Sequence, residues 1–125
     1  MEVLPNDASK MPKTIIYCDG AATQSTGAGS AALYIIQRDS PDGVENIEKH
    51  SRFYAATTNN IMEYMSLIAC FKWIARQKKY SLVIMDAMLV LQQIRVKSDE
   101  RDTERVARET VALYAIIVGF VVLAP

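Results

Sequence analysis

The chain has no excess of charge of either sign: 14 Lys and Arg balance 14 Asp and Glu over 125 residues. It therefore lacks the globally basic surface that marks many nucleic-acid binders, and any such binding must rest on local groups or on metal ions. Cysteine and histidine are scarce, with two cysteines and a single histidine, His50. Cys18 and Cys70 show no metal-ligand or redox spacing. They read as small buried apolar residues in a reducing, intracellular setting, cytoplasm or nucleus. No apolar block stands near the N-terminus, where 1–13 carry Glu2, Asp7, two prolines and two lysines. That segment reads as a flexible leader and not as a secretory signal. The uncharged stretch 111–125 is 15 residues long, short of the roughly 20 apolar residues of a membrane span, so no membrane partner is expected. No internal repeat or low-complexity segment is visible.

What remains is a chain of one-domain length, half of it hydrophobic, enough for a single core. Its organising stretch is Ile15-Ile16-Tyr17-Cys18-Asp19-Gly20-Ala21-Ala22, a strand pattern that delivers one carboxylate to its end. Gly20 lets backbone or ligand approach beside that acid, which makes it a candidate nucleic-acid contact. A turn of small residues at 23–30 leads into a second strand at 31–36. The turn cluster at 38–43 leads to a third at 44–54, giving three antiparallel strands. Thr57-Thr58-Asn59-Asn60 offers N-cap residues, and 61–78 has helical spacing, with Ile61, Tyr64, Met65, Ile68, Phe71 and Ala75 as its apolar positions. A strand at 80–85 then ends at Asp86, followed by a short helix over 87–95. Strand, helix, strand implies parallel pairing with the first strand. The mixed charges of 95–108 read as a solvated loop and helix face. A helix over 103–114 and a last β-branched strand over 118–123 complete an α/β domain with a five-stranded mixed sheet, three antiparallel strands and then parallel ones, with packed helices.

Three acids stand at telling places: Asp19 at the end of the first strand, Glu63 in the first turn of the long helix, and Asp86 at the end of the next parallel strand. Adjacent parallel strands present their end residues side by side, and the helix must pack on their sheet, so the three can converge. Clustered carboxylates repel unless a cation neutralises them, and an all-oxygen set suits Mg²⁺ or Mn²⁺. Two such ions can activate water and stabilise the leaving oxygen in phosphodiester cleavage.

In these residues the sequence resembles the type 1 ribonuclease H domain of the ribonuclease H-like superfamily. Tyr17-Cys18-Asp19-Gly20, with the Gly-rich hairpin that follows, is similar to the family's opening strand. Thr57-Thr58-Asn59-Asn60-Ile61-Met62-Glu63 is similar to its T-T-N-N-x-x-E helix start, and Val83-Ile84-Met85-Asp86 resembles its third acidic block. The resemblance implies an endonuclease that cuts the RNA strand of an RNA:DNA hybrid. It also implies two Mg²⁺ (or Mn²⁺) ions, with Asp19, Glu63 and Asp86 as catalytic metal ligands and Asp19 touching both. By the same carry-over Thr58 meets a DNA phosphate, and Asn59 and Asn60 reach the minor groove. Plain N-capping by Thr58 or Asn59 is compatible with these roles.

The family brings a fourth carboxylate on a helix after its fifth strand, preceded by a loop that can carry a His. Here 14–125 is expected to be a domain incomplete at its C-terminus, lacking that final helix and weakened in activity. His50, in the third-strand region, is not expected to replace the loop His, and Ala87 stands where the family usually has Ser. Two rival readings accompany the enzyme. One is a catalytically inactive hybrid-binding or protein-interaction module on the same fold, and the other a membrane-tethered fragment using the apolar C-terminus.

Overall fold

The computed structural model describes residues 12–38, 45–86 and 101–124, with residues 101–104 described by their backbone alone. Strands β1 (Thr14–Ala22), β2 (Gly29–Gln37) and β3 (Asn46–Tyr54) are followed by helix α1 (Asn59–Gln77) and strand β4 (Ser81–Ile84). Helix α2 (Arg101–Ile117), a 3₁₀ turn (Val118–Phe120) and strand β5 (Val121–Ala124) complete the set. The sheet order is β3-β2-β1-β4-β5. β1–β2 and β2–β3 pair antiparallel, whereas β1–β4 and β4–β5 pair parallel, as the sequence pattern requires. The short helix expected over 87–95 and most of the leader lie outside the described residues.

Alternation along β1 divides the sheet into two faces. Ile16, Cys18 and Gly20 turn inward under α1, while Tyr17, Asp19 and Ala21 are exposed on the opposite side. The main core joins the inward residues of β1 and β2 to α1, and α1 in turn to Val106, Ala107 and Ile117 of α2. Phe71 and Tyr114 stack between the two helices with centroids 5.6 Å apart. Cys18 and Cys70 are both free and buried in this core. A smaller apolar cluster, Leu82, Val122 and Ala124 with Ile15 and Ile84, lies on the other face.

Two expectations need correction. The buried side of α1 is broader than the spacing of Ile61, Tyr64, Met65, Ile68, Phe71 and Ala75 suggests. Met62, Leu67, Cys70, Trp73 and Ile74 are buried as well, while Ile61, Met65 and Ala75 are only partly so. The cause is that α1 is wedged between the sheet and α2, so it buries more than one stripe. The last strand also starts later than 118, because Val118–Phe120 finishes α2 as a 3₁₀ turn and only Val121–Ala124 reaches β4. Val118 and Phe120 are exposed, whereas all four strand residues are buried. Among the described residues no helix is long and apolar enough to cross a membrane.

Candidate active site

The site is assembled where the end of β1 meets the beginning of α1. Thr58 caps the helix from an extended conformation, its hydroxyl accepting from the Ile61 N–H at 3.3 Å while its carbonyl accepts from Met62 at 3.0 Å. The Asn59 Oδ1 accepts from the Ala22 N–H at 3.1 Å, pinning the helix start to the last residue of β1. Gly27, at φ 73°, turns the β1–β2 connection so that its carbonyl accepts from the Thr57 N–H at 2.7 Å. Strand end, turn and helix N-terminus are thus tied together by backbone groups and one amide.

Gly20 makes the closest approach. A Cβ there would lie 2.1 Å from the Met62 carbonyl oxygen and 2.8 Å from the Glu63 nitrogen, so only glycine lets α1 settle on β1. The approaching partner is the helix backbone, which gives Gly20 a packing role where the sequence suggested a nucleic-acid contact as well. Because α1 begins at Asn59, Glu63 falls just beyond its first turn.

The Gly20 N–H donates to Asp19 Oδ1 at 2.9 Å and to Glu63 Oε1 at 3.3 Å. Two carboxylates therefore share one donor. Burial, and next the Asp19 charge, push the Glu63 carboxyl from an ordinary 4.5 up to about 7, against the opposing pull of the Gly20 N–H. Asp86 adds a smaller repulsion. Carrying the parallel register on from Tyr17↔Ile84 sets Asp86 level with Asp19 at the neighbouring strand end. Asp86 is exposed, and among the described residues no three acidic, histidine or cysteine side chains are grouped closely enough to hold a metal ion as they stand. The structure brings Asp19 and Glu63 into contact and leaves Asp86 beside them.

The donor set suits a hard divalent cation. A half-buried carboxyl raised to about 7 by burial and an adjacent acid binds either a proton or a metal at neutral pH. His50 is exposed on β3, with a ring nitrogen 3.0 Å from Glu48. Thr58 and Asn59 are exposed and Asn60 half-exposed at the helix N-terminus, where backbone N–H groups and the helix dipole favour anions. The sequence held no sign that Asn59 also ties down Ala22, since that bond joins residues 37 apart.

Comparison with solved structures agrees with this architecture. The N-terminal RNase H domain of a Mycobacterium tuberculosis protein, solved as a fusion with maltose-binding protein, is similar with a TM-score of 0.72 at 23% identity, over 91% of this chain and 83% of that one. LC11-RNase H1, isolated from compost by a metagenomic approach and solved in complex with an RNA/DNA hybrid, gives 0.70 at 23% identity, over 90% and 83%. RNase H1 from the halophilic archaeon Halobacterium salinarum gives 0.64 at 24%, over 90% and 85%. No curated protein matches the chain. At these identities the likeness is one of fold, but the RNase H family model matches residues 11–116, nearly the whole chain, and on that match this protein belongs to the RNase H family.

Proposed function

We propose that the protein is a metal-dependent endonuclease cutting the RNA strand of RNA:DNA hybrids. The observation that carries this is the pair of carboxylates, Asp19 and Glu63, on the single Gly20 N–H, with Asp86 alongside and a helix N-terminus next to them. Two Mg²⁺ or Mn²⁺ ions held by Asp19, Glu63 and Asp86 would supply an activated water and charge neutralisation at the scissile phosphate.

The chain's own groups prepare for that. The Gly20 N–H fixes the orientation of Asp19 and Glu63 before any ligand arrives. Repulsion between these acids makes the empty pair costly and a bound cation favourable. Thr58, Asn59 and Asn60 present a hydroxyl and two amides that suit the phosphates and minor-groove edges of a hybrid without needing a basic surface. The bond to Ala22 uses the Asn59 oxygen, which leaves its amide NH₂ to serve this purpose. The free buried Cys18 and Cys70 suit a reducing compartment, cytoplasm or nucleus.

One observation favours a second reading, a hybrid-binding or protein-interaction module without catalysis: Asp86 is exposed, and among the described residues it is not grouped with the acid pair closely enough to hold a metal ion. Titrating Mg²⁺ and Mn²⁺ against a labelled RNA:DNA hybrid, for the natural chain and for Asp19→Asn, separates the two. Metal-dependent cutting of the RNA strand to 3′-hydroxyl and 5′-phosphate ends, lost in Asp19→Asn, supports the enzyme. Hybrid binding with no cutting at any metal concentration supports the module.

A further inference from the structure

The sheet face away from α1 carries a hollow that the chemistry above does not use. Cross-strand pairing arranges that face in rows: Tyr17–Tyr34–Lys49, then Asp19–Ala32–Ser51, then Ala21–Ser30–Phe53. The middle row is small except for Asp19, so a trough runs between the tyrosine row and Phe53, whose backbones are about 14 Å apart at four residues of strand. The hollow lined by Tyr17, Tyr34, Lys49, Ala32, Ser51 and Asp19 measures about 320 Å³. Its tyrosine wall is open, with Tyr17 45% exposed, and beyond it in the next row Phe53 is 70% exposed. Tyr17 and Tyr34 meet edge to face at 64°, centroids 6.5 Å apart. The ammonium of Lys49 sits 5.6 Å from the Tyr34 centroid, at the outer end of the same row.

We propose that this trough holds an unpaired nucleotide of the RNA strand next to the cleavage position, resting on the function proposed above. Three features select that occupant. Asp19 both lines the trough and belongs to the acid pair, so a strand whose phosphate lies at that pair is next to the trough. A π-face on a flat sheet stacks any nucleobase, the use that single-strand binding sheets make of their exposed aromatics. Lys49 at the far wall supplies a cation for the next phosphate, while the small Ala32 and Ser51 leave room for a ring between. The site favours hybrids that end in, or are interrupted by, single-stranded RNA.

The test compares a blunt hybrid with the same hybrid carrying a four-nucleotide RNA extension at one end or the other. Dissociation constants are measured by fluorescence anisotropy with Ca²⁺ present. The expected result is a preference of about tenfold for one extended hybrid, the contribution of roughly one stacked base. The preference ratio falls to near one in Tyr17→Ala and in Lys49→Ala and survives in Tyr17→Phe. Lys49 lies exposed on an edge strand, so its variant folds even if loss of the Tyr17 ring disturbs the sheet. Equal affinity for blunt and extended hybrids overturns the trough and leaves the hybrid reading standing. Binding of neither overturns both. A dimer that Phe53→Ser dissociates, in a protein showing no preference for extensions, assigns the face to a second copy and overturns the proposal as well.

Discussion

Asp19 and Glu63, 44 positions apart along the chain, accept hydrogen bonds from the same Gly20 N–H, at 2.9 and 3.3 Å. This shared donor holds two like charges together on opposite sides of a strand–helix junction. It places repulsion and preorganisation in the same few atoms.

Glu63→Gln and Asp19→Asn each remove one charge while keeping an oxygen for the Gly20 N–H. Both are expected to fold at least as stably as the natural chain without metal, since a repulsion disappears. Both are expected to lose at least about a hundredfold in hybrid cleavage, as direct ligands matter at least as much as the groups that orient them. Parallel thermal melts and single-turnover cleavage assays check the two halves together.

The raised Glu63 carboxyl makes metal-free stability depend on pH. Between about 4.5 and about 7 an unfolded chain has released this proton while the folded protein keeps it. Stability therefore falls as pH rises through that window and levels off above it, whereas below about 4.5 both states are protonated and this group contributes no slope. Melting temperatures in chelator from pH 4 to 8 should show this component in the natural chain and lack it in Glu63→Gln. Curves that run parallel for the two proteins contradict it.

Gly20→Ala drives a methyl into the Met62 carbonyl at 2.1 Å. Backbone on both sides leaves little to yield, so the loss should be about 3 kcal/mol in urea unfolding, at the upper end for overpacking. Cleavage should fall further than stability alone explains, because α1 carries Glu63 with it when it shifts. A fully active, equally stable Gly20→Ala protein would show that the close approach is dispensable.

Thr58 serves the helix through its cap and, in the proposed function, the hybrid through its hydroxyl. Thr58→Ala should cost about 1 kcal/mol of stability. Thr58→Asp keeps a capping oxygen and adds a favourable charge at the helix N-terminus, so its stability should match the natural chain. Its hybrid affinity should nevertheless drop about tenfold at low salt, and less at high salt, through repulsion of the phosphate. Unchanged affinity in Thr58→Asp would confine Thr58 to capping.

Much of this was written locally. The apolar alternation of β1, the turn residues before β2 and the Thr-Asn start of α1 each specify their own element, and the strand–helix–strand order specifies the parallel half of the sheet. The three acids were legible for the same reason, since each closes or opens an element. What stayed hidden depends on long-range packing. Nothing near Trp73 or Ile74 reveals that a second helix packs on α1 from outside. The turn at Val118–Phe120 wins over strand propensity because β4 offers only four residues to pair with. The Asn59–Ala22 bond and the aromatic rows across β1, β2 and β3 appear only once register is fixed.

Calorimetric titration of Mn²⁺ into the natural chain and into Asp86→Asn, without nucleic acid, tests most directly whether the three acids act on one ligand. The account predicts measurable binding that weakens by about tenfold or more when Asp86 loses its charge. An affinity identical in the two proteins, or no binding by the natural chain at millimolar metal, would contradict it.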